Sequence, residues 1–115
     1  MRGDFVFKFL KRKPKNEDSP AFRREMAKKL AGKHIKYVAE RIENEEIIIG
    51  REGSLNLKGD EFLVFASGII VFRADVEDLK ASELMSGNGV ILTAHDIENG
   101  GKLRSVVAHY TYYNK

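Results

Sequence analysis

Apolar and polar positions divide the chain into a helical segment followed by a longer β-rich segment. Ser19 and Pro20 suit a helix start, because Ser can accept a bond from a free backbone N–H and Pro has no N–H to lose. An apolar residue then recurs every four positions, at Phe22, Met26 and Leu30. Gly32 can end the helix in the left-handed conformation. The pattern predicts a helix over residues 20–31.

Residues 34–42 fit two patterns. Ile35, Tyr37 and Ala39 alternate with polar residues as in a strand, whereas Ile35, Val38 and Ile42 have helical spacing. The preceding glycine and the β-branched side chains favour the strand.

Short apolar runs separated by glycine-containing turns fill residues 47–72. The runs are Ile47-Ile48-Ile49, Leu55 with Leu57, Phe62-Leu63-Val64-Phe65 and Ile69-Ile70-Val71-Phe72. The turns are Arg51-Glu52-Gly53, Lys58-Gly59-Asp60 and Ser67-Gly68. Each turn has a glycine that can take a positive φ, and the spacing predicts an antiparallel meander in which residues 47–49 are a short buried strand.

The last third of the chain alternates between polar and apolar segments. Asp75 opens a stretch whose apolar residues have roughly helical intervals, which predicts a short helix or turn to about Met85. A glycine-rich break then leads to a strand from Val90. Asn99-Gly100 is a strong hairpin signal, and the final strand is predicted over residues 103–112.

These elements predict an α+β fold: an antiparallel β-barrel or roll of about seven strands, with one N-terminal basic helix and a short helix before the last hairpin. We predict a single α+β domain over residues 19–115, preceded by a basic N-terminal arm at residues 1–18. Within the arm, Phe5, Phe7 and Phe9 alternate as in a strand, although a helix is also compatible with them. Residues 11–18 are polar and are expected to be flexible.

A series of motifs from Ile47 to Tyr113 carries a resemblance to a known family. The motifs are Gly53-Ser54-Leu55-Asn56-Leu57, Asp60-Glu61-Phe62-Leu63-Val64, Ile69-Ile70-Val71-Phe72-Arg73, Val76-Glu77-Asp78-Leu79 and a final hairpin. In hydrophobic rhythm they resemble the pleckstrin-homology-like (PH-like) superfamily, in particular its small bacterial and GRAM-type members. The resemblance implies a bacterial protein with a binding or scaffolding role.

Two departures from that family change what the resemblance implies. PH-like domains usually close their barrel with a C-terminal helix, a place that the N-terminal helix would have to take here. Members that bind phosphoinositides carry basic residues between their first two strands, where this chain has Glu43-Asn44-Glu45-Glu46. Recognition of a lipid headgroup at the usual place is therefore not expected.

Charge is distributed unevenly along the chain. Residues 1–41 hold 13 of the 20 Lys/Arg and 5 of the 17 Asp/Glu, a net charge of +8, whereas residues 42–115 have a net charge of −5. Such asymmetry predicts a polyanionic partner for the basic end, or attraction between the two halves or between two copies.

Cations beside apolar anchors form the candidate binding site for an anionic partner. Its residues are Lys8, Lys11, Arg12, Lys13, Lys15, Arg23, Arg24, Lys28 and Lys29. An anionic membrane surface is the expected ligand, ahead of nucleic acid. The competing interpretation is that the arm's phenylalanines form an edge strand and its lysines are simply solvated.

Catalytic and metal chemistry find little support in the residues. The chain has no cysteine, which excludes disulfides and thiolate-ligated metals and suits a reducing compartment. His34, His95 and His109 have no metal-ligand spacing and no nucleophile motif beside them. No segment has the length of a membrane span and the start of the chain does not have the pattern of a signal peptide, so we expect a cytoplasmic protein.

The combined prediction is a non-catalytic binding or scaffold domain without a cofactor, with protein–protein interaction as its expected role. Its expected partner is another protein or a second copy, bound through exposed strand edges and charge complementarity. The alternative is a peripheral binder of anionic surfaces that works through the basic N-terminus.

Overall fold

The structure is a computed structural model that describes residues 19–111, which form one helix and a seven-stranded sheet. The elements are α1 (Pro20–Leu30), β1 (His34–Ile42), β2 (Glu45–Lys58), β3 (Glu61–Ala66), β4 (Ile69–Asp75), β5 (Lys80–Glu83), β6 (Gly89–Asp96) and β7 (Lys102–Tyr110). Single 3₁₀ turns at Val76–Asp78 and Ile97–Asn99 follow β4 and β6. Predictions for residues 1–18 and 112–115 lie outside the described residues.

Helix α1 begins and ends next to the residues that the sequence indicates as its caps. The Phe22 N–H donates to the Ser19 hydroxyl at 3.1 Å, Pro20 is the first helical residue, and Gly32 has a φ of +92° just past the end. The inner face buries Ala27 and Leu30 completely. The predicted helix at residues 20–31 is confirmed to within one residue.

All neighbouring strands are antiparallel, in the order β4-β3-β2-β1-β7-β6-β5. The strand interpretation of residues 34–42 is confirmed, because β1 pairs with β2 on one side and β7 on the other. Strands β4 and β5 are the two edges, so the sheet is an open roll rather than a closed barrel. The α+β class and the count of seven antiparallel strands are confirmed.

Strand β2 corrects the predicted turn at residues 51–53. It runs unbroken through them, bending at Glu52, whose φ is +49°. A Cβ on Gly53 would lie 1.7 Å from the Phe65 carbonyl oxygen, and one on Gly50 would lie 2.6 Å from the Ala66 Cβ. Gly50 and Gly53 therefore let β2 pass close to β3 within one bent strand. They do not form a turn that reverses the chain.

The predicted short helix or turn from Asp75 to about Met85 is wrong beyond Asp78. Only the 3₁₀ turn Val76–Asp78 forms, and residues 80–83 become β5, which pairs with β6. Val76 and Leu79 are buried in the core. Their spacing is compatible with a short turn followed by a strand as well as with a helix. Asp75 makes no side-chain cap bond.

One hydrophobic core lies inside the rolled sheet and beneath α1. Its largest fully buried side chains are Phe62, Phe72, Leu30, Ile35, Leu55, Leu79 and Leu92. Burying each contributes about 1.5–3 kcal/mol relative to exposure. Helix α1 packs against the first 3₁₀ turn, β2 and β5, so it contacts strands from both halves of the rolled sheet.

Polar side chains occupy the outer edge of β4. The Arg73 N–H donates to Asp96 Oδ1 at 3.1 Å, and Asn99 Nδ2 donates to the Val71 carbonyl at 3.3 Å. Residues at the end of β6 thus satisfy backbone groups that a neighbouring strand would otherwise bind. These bonds occupy the edge at residues 71 and 73 without a further strand.

Candidate functional site

The cations of α1 face the acidic body of the same molecule. Arg24 Nη2 lies 2.7 Å from Asp60 Oδ1, and Lys29 Nζ lies 3.6 Å from Glu83 Oε1. Lys28 is exposed. Such surface pairs contribute little stability individually, about 0–1 kcal/mol, but they direct the helix cations towards the sheet.

Arg23 continues the same arrangement, since its Nη1 donates to the Glu77 carbonyl at 2.7 Å. The structure therefore brings the four predicted helix cations onto one short helix and engages three of them with the body. The remaining predicted site residues lie outside the described part of the chain: Lys8, Lys11, Arg12, Lys13 and Lys15.

An acidic cleft lies beside these contacts. It is lined by Asp60, Asp75, Glu77 and Asp78. Within residues 19–111, no group of three or more acidic, histidine or cysteine residues has an arrangement that could hold a metal ion. Arg24 already binds one of these carboxylates, so the cleft belongs to the docking of α1.

His95 and Asp78 form an oriented pair between β6 and the first 3₁₀ turn. Asp78 Oδ2 lies 2.7 Å from the His95 backbone N and 3.0 Å from His95 Nδ1. Burial acts to raise the pKa of Asp78, but the hydrogen bonds and charge of His95, together with the charge of Arg23, outweigh it and leave the pKa below its ordinary value. Among residues 19–111, no hydroxyl nucleophile is hydrogen-bonded to the other ring nitrogen, so the pair lacks the third member that nucleophilic catalysis needs.

His109 lies on the outer face of the sheet and stacks on Tyr37. Their ring centroids are 4.4 Å apart, with 27° between the planes, and the two residues lie opposite each other in β1 and β7. His109 Nε2 is buried without a hydrogen bond and lies 3.7 Å from Glu46 Oε1. The ring is thus packed as part of a sheet face.

A buried ionic network lies at the end of β6 and the start of β7. Asp96 is fully buried and its carboxylate accepts hydrogen bonds from Arg104 and Asn99. Arg104 also donates to both oxygens of Glu40, at 2.8 and 3.1 Å, and these bonds are the main cause of the lowered pKa of Glu40. Each carboxylate is already satisfied, which indicates a structural role.

The first part of β2 presents a different kind of surface, which we call the half-edge (residues 45–50). This segment pairs with β1 except at Ile49, where a bulge shifts the register, but β3 pairs only with residues 53–58. Ser67 binds both the N–H and the carbonyl of Arg51, at 2.9 and 2.6 Å, and closes the edge there. Among the described strands, residues 45–50 therefore have a partner on one side only.

The side chains at residues 45–48 of the half-edge are exposed on both faces of the ribbon, whereas Ile49 is half-buried against the core. Ile47 and Ile48 are successive strand residues, so they point to opposite faces, and they are 49% and 43% exposed. Ile42, near them in β1, is 46% exposed. The prediction that residues 47–49 form a buried run is wrong for the first two, because here the hairpin extends beyond the core.

Sequence reasoning anticipated exposed strand edges but did not locate this one. An unbroken apolar triplet is typical of a strand covered on both faces, and only the mismatch in length between β2 and β3 leaves it open. The signal that could have located it is the flanking charge, since Glu45 and Glu46 precede the isoleucines directly.

Comparison of the chain with protein-family models, curated proteins and solved structures finds no match. The resemblance to the PH-like superfamily stays a prediction. In the part of the chain from residue 19 to residue 111, no helix has the length and apolar character needed to cross a bilayer.

Proposed function

We propose that this protein is a non-catalytic binding or scaffold domain that takes up protein partners by strand addition at the half-edge. The observation that carries the proposal is that residues 45–50 pair with β1 on one side and with no described strand on the other. An unpaired strand edge offers a row of N–H and C=O groups that an extended segment can bind.

The side chains of the half-edge support this function. Ile47 and Ile48 offer apolar contacts on both faces of the ribbon. Side chains on both faces of an added strand would therefore find an apolar partner. Glu45 adds negative charge at one end, beside Glu46, whose Oε2 binds Arg41 Nη2 at 3.1 Å, and this charge favours a partner strand with a cation there. Main-chain hydrogen bonds would supply affinity and these side chains specificity.

The non-catalytic part of the proposal rests on how the polar groups are used. The carboxylates of Glu40 and Asp96 are bound by Arg104, and Asp78 is bound by His95. In our proposal the domain is a divergent PH-like roll that works in the cytoplasm, for which the absence of cysteine is suitable.

The alternative function is peripheral binding to an anionic surface, a membrane ahead of nucleic acid. The observation in its favour is the net charge of +8 over residues 1–41. Because Arg24 and Lys29 are paired with body carboxylates, this alternative depends on the cations at residues 8–15. We therefore place it second.

Selection from a displayed library of random peptides tests strand addition even though no partner has been identified. We expect the protein to enrich peptides that alternate apolar and polar residues, and Ile48→Lys to weaken their binding at least tenfold by placing a charge on the edge. Met85→Lys is the matched control, because Met85 is fully exposed in the turn between β5 and β6. Absence of enriched peptides at concentrations at which the protein is monomeric, or equal binding by the Ile48→Lys variant, would contradict the proposal.

A further inference from the structure

The half-edge and the residue that follows it are complementary to a second copy of themselves. Glu45 and Glu46 lie at one end, Arg51 lies just past the other end, and isoleucines lie between them. In an antiparallel pair of two such segments, the acidic end of each copy lies near Arg51 of the other. Parallel pairing would instead place acids beside acids.

We propose that the half-edge pairs with the half-edge of a second copy, which makes a symmetric dimer whose sheet continues from β2 of one copy into β2 of the other. This inference rests on the proposed function and names its partner. A two-fold interface uses the same surface on both copies, which is the property that the half-edge has.

Symmetry and sterics restrict the register of this pairing. In a two-fold antiparallel pair, the residue at the axis lies opposite itself in the other copy. The turn at Ser67, which binds Arg51, limits the partner strand at one end, and the tight turn after Ile42 limits it at the other. The centre of the free segment lies at Ile47 or Ile48, so one of these residues is expected at the axis.

Exposed isoleucines around the half-edge supply apolar area for the interface. Ile69 is 60% exposed and pairs with Ala66, whose Cβ lies 2.6 Å from the position that a Cβ on Gly50 would take. Ile69 thus lies across β3 from Gly50, and Ile42 of β1 lies opposite Glu45. Two exposed isoleucines on the half-edge, with Ile42 on β1 and Ile69 on β4, are unusual for a surface that stays in water.

Single cysteines test the register directly, because the natural chain has none. Residues directly opposite in an antiparallel pair have Cα atoms about 4.5–5.5 Å apart, which is within the range that a disulfide bridges. We expect mild oxidation of the full-length protein to cross-link Ile47→Cys or Ile48→Cys into a covalent dimer. Met85→Cys, fully exposed at the far side of the sheet, should stay mostly monomeric.

Sedimentation velocity of the unmodified chain over a concentration series provides the second measurement. We expect a reversible dimer, and at least a tenfold weaker one for Ile48→Lys, with an unchanged circular dichroism spectrum showing that the variant folds. A wild-type chain that remains monomeric at the highest concentration overturns the dimer. So does cross-linking at Met85→Cys as fast as at both half-edge positions.

The two proposals fail separately in these experiments. A monomeric protein that still selects peptides through the half-edge retains strand addition and rejects the second copy as its occupant. A dimer that is insensitive to Ile48→Lys and to both half-edge cysteines places self-association on another surface and also rejects this inference. A monomer that selects no peptides rejects both proposals.

Discussion

Arg104 binds two carboxylates at once, and this arrangement shows how single residues hold the open sheet. Its guanidinium reaches Glu40 on β1 and Asp96 at the end of β6, and Asp96 in turn binds the backbone of Arg73 on β4. Removing one partner of such a buried pair typically costs about 3–5 kcal/mol, because a charge is left buried without compensation. The network therefore connects four strands of the roll, β1, β4, β6 and β7.

Asp78 gives a residue-scale prediction for pH. Its pKa is below the ordinary value in the folded protein, so its contribution to stability is present above the ordinary pKa and is lost as pH falls through the folded pKa. We expect Asp78→Asn to lower the free energy of unfolding at pH 6, and the difference from wild type to shrink below about pH 4. Urea unfolding between pH 6 and pH 2.5 measures it.

The control for this experiment is Asp75→Asn, which changes the net charge equally but removes no side-chain cap bond. The loss in free energy of unfolding should depend on pH more strongly for Asp78→Asn than for Asp75→Asn. We assign this difference to the contact between Asp78 and His95. Equal curves for the two variants would reject that assignment.

At the scale of elements, β2 shows where local sequence stops being informative. The helix α1, β1 and the turns at Gly59 and Gly68 could be predicted, because caps, alternation and positive φ are local properties. The continuity of β2 could not be predicted from the sequence. A glycine that permits close approach of two strands and a glycine that permits a turn look the same in the sequence. The half-edge remained hidden for a related reason, because it depends on how far β3 extends beside β2.

Strand β5 and the polar network depended on tertiary context in the same way. Residues 80–83 become a strand only because β6 offers an edge to pair with. The contact between Arg104 and Glu40 joins residues far apart in sequence, and neither carries a motif. The seven predicted strands match in number because β5 replaces the strand lost when two predicted strands merge into β2.

Gly53 gives the element-scale prediction, since it permits the bend in β2. A Cβ there would overlap the Phe65 carbonyl, and the backbone of β3 cannot move without breaking its pairing. We expect Gly53→Ala to lower the free energy of unfolding by about 3 kcal/mol or more, as severe overpacking does. Equilibrium urea unfolding measures the loss.

Gly59→Ala is the matched control for that substitution. Gly59 has a φ of +62° with nothing within 4 Å of an added Cβ, so only backbone strain of about 1 kcal/mol is expected. Equal losses at the two positions would show that close approach to β3 is not the reason for glycine at residue 53.

At the scale of the whole molecule, the opposite charges of the two halves partly meet within one chain. Arg24 and Lys29 bind carboxylates of the body, so the charge asymmetry of the sequence has an internal use as well as any external one. A surface that bound the helix cations would have to compete with Asp60 and Glu83. The anionic-surface alternative therefore requires that the cations at residues 8–15, rather than Arg24 and Lys29, bind the surface.

Co-sedimentation with vesicles of phosphatidylserine and phosphatidylcholine over a salt series tests this requirement. Under this alternative, the triple variant Lys11→Glu, Arg12→Glu, Lys13→Glu should lose salt-sensitive binding, because each basic residue near an anionic surface contributes about 1 kcal/mol. The double variant Arg24→Gln, Lys29→Gln should bind within about twofold of wild type, since its cations already have partners. Equal loss in both variants would place the helix on the membrane instead. Absence of sedimentation at low salt would remove the alternative and leave strand addition at β2 as the function to pursue.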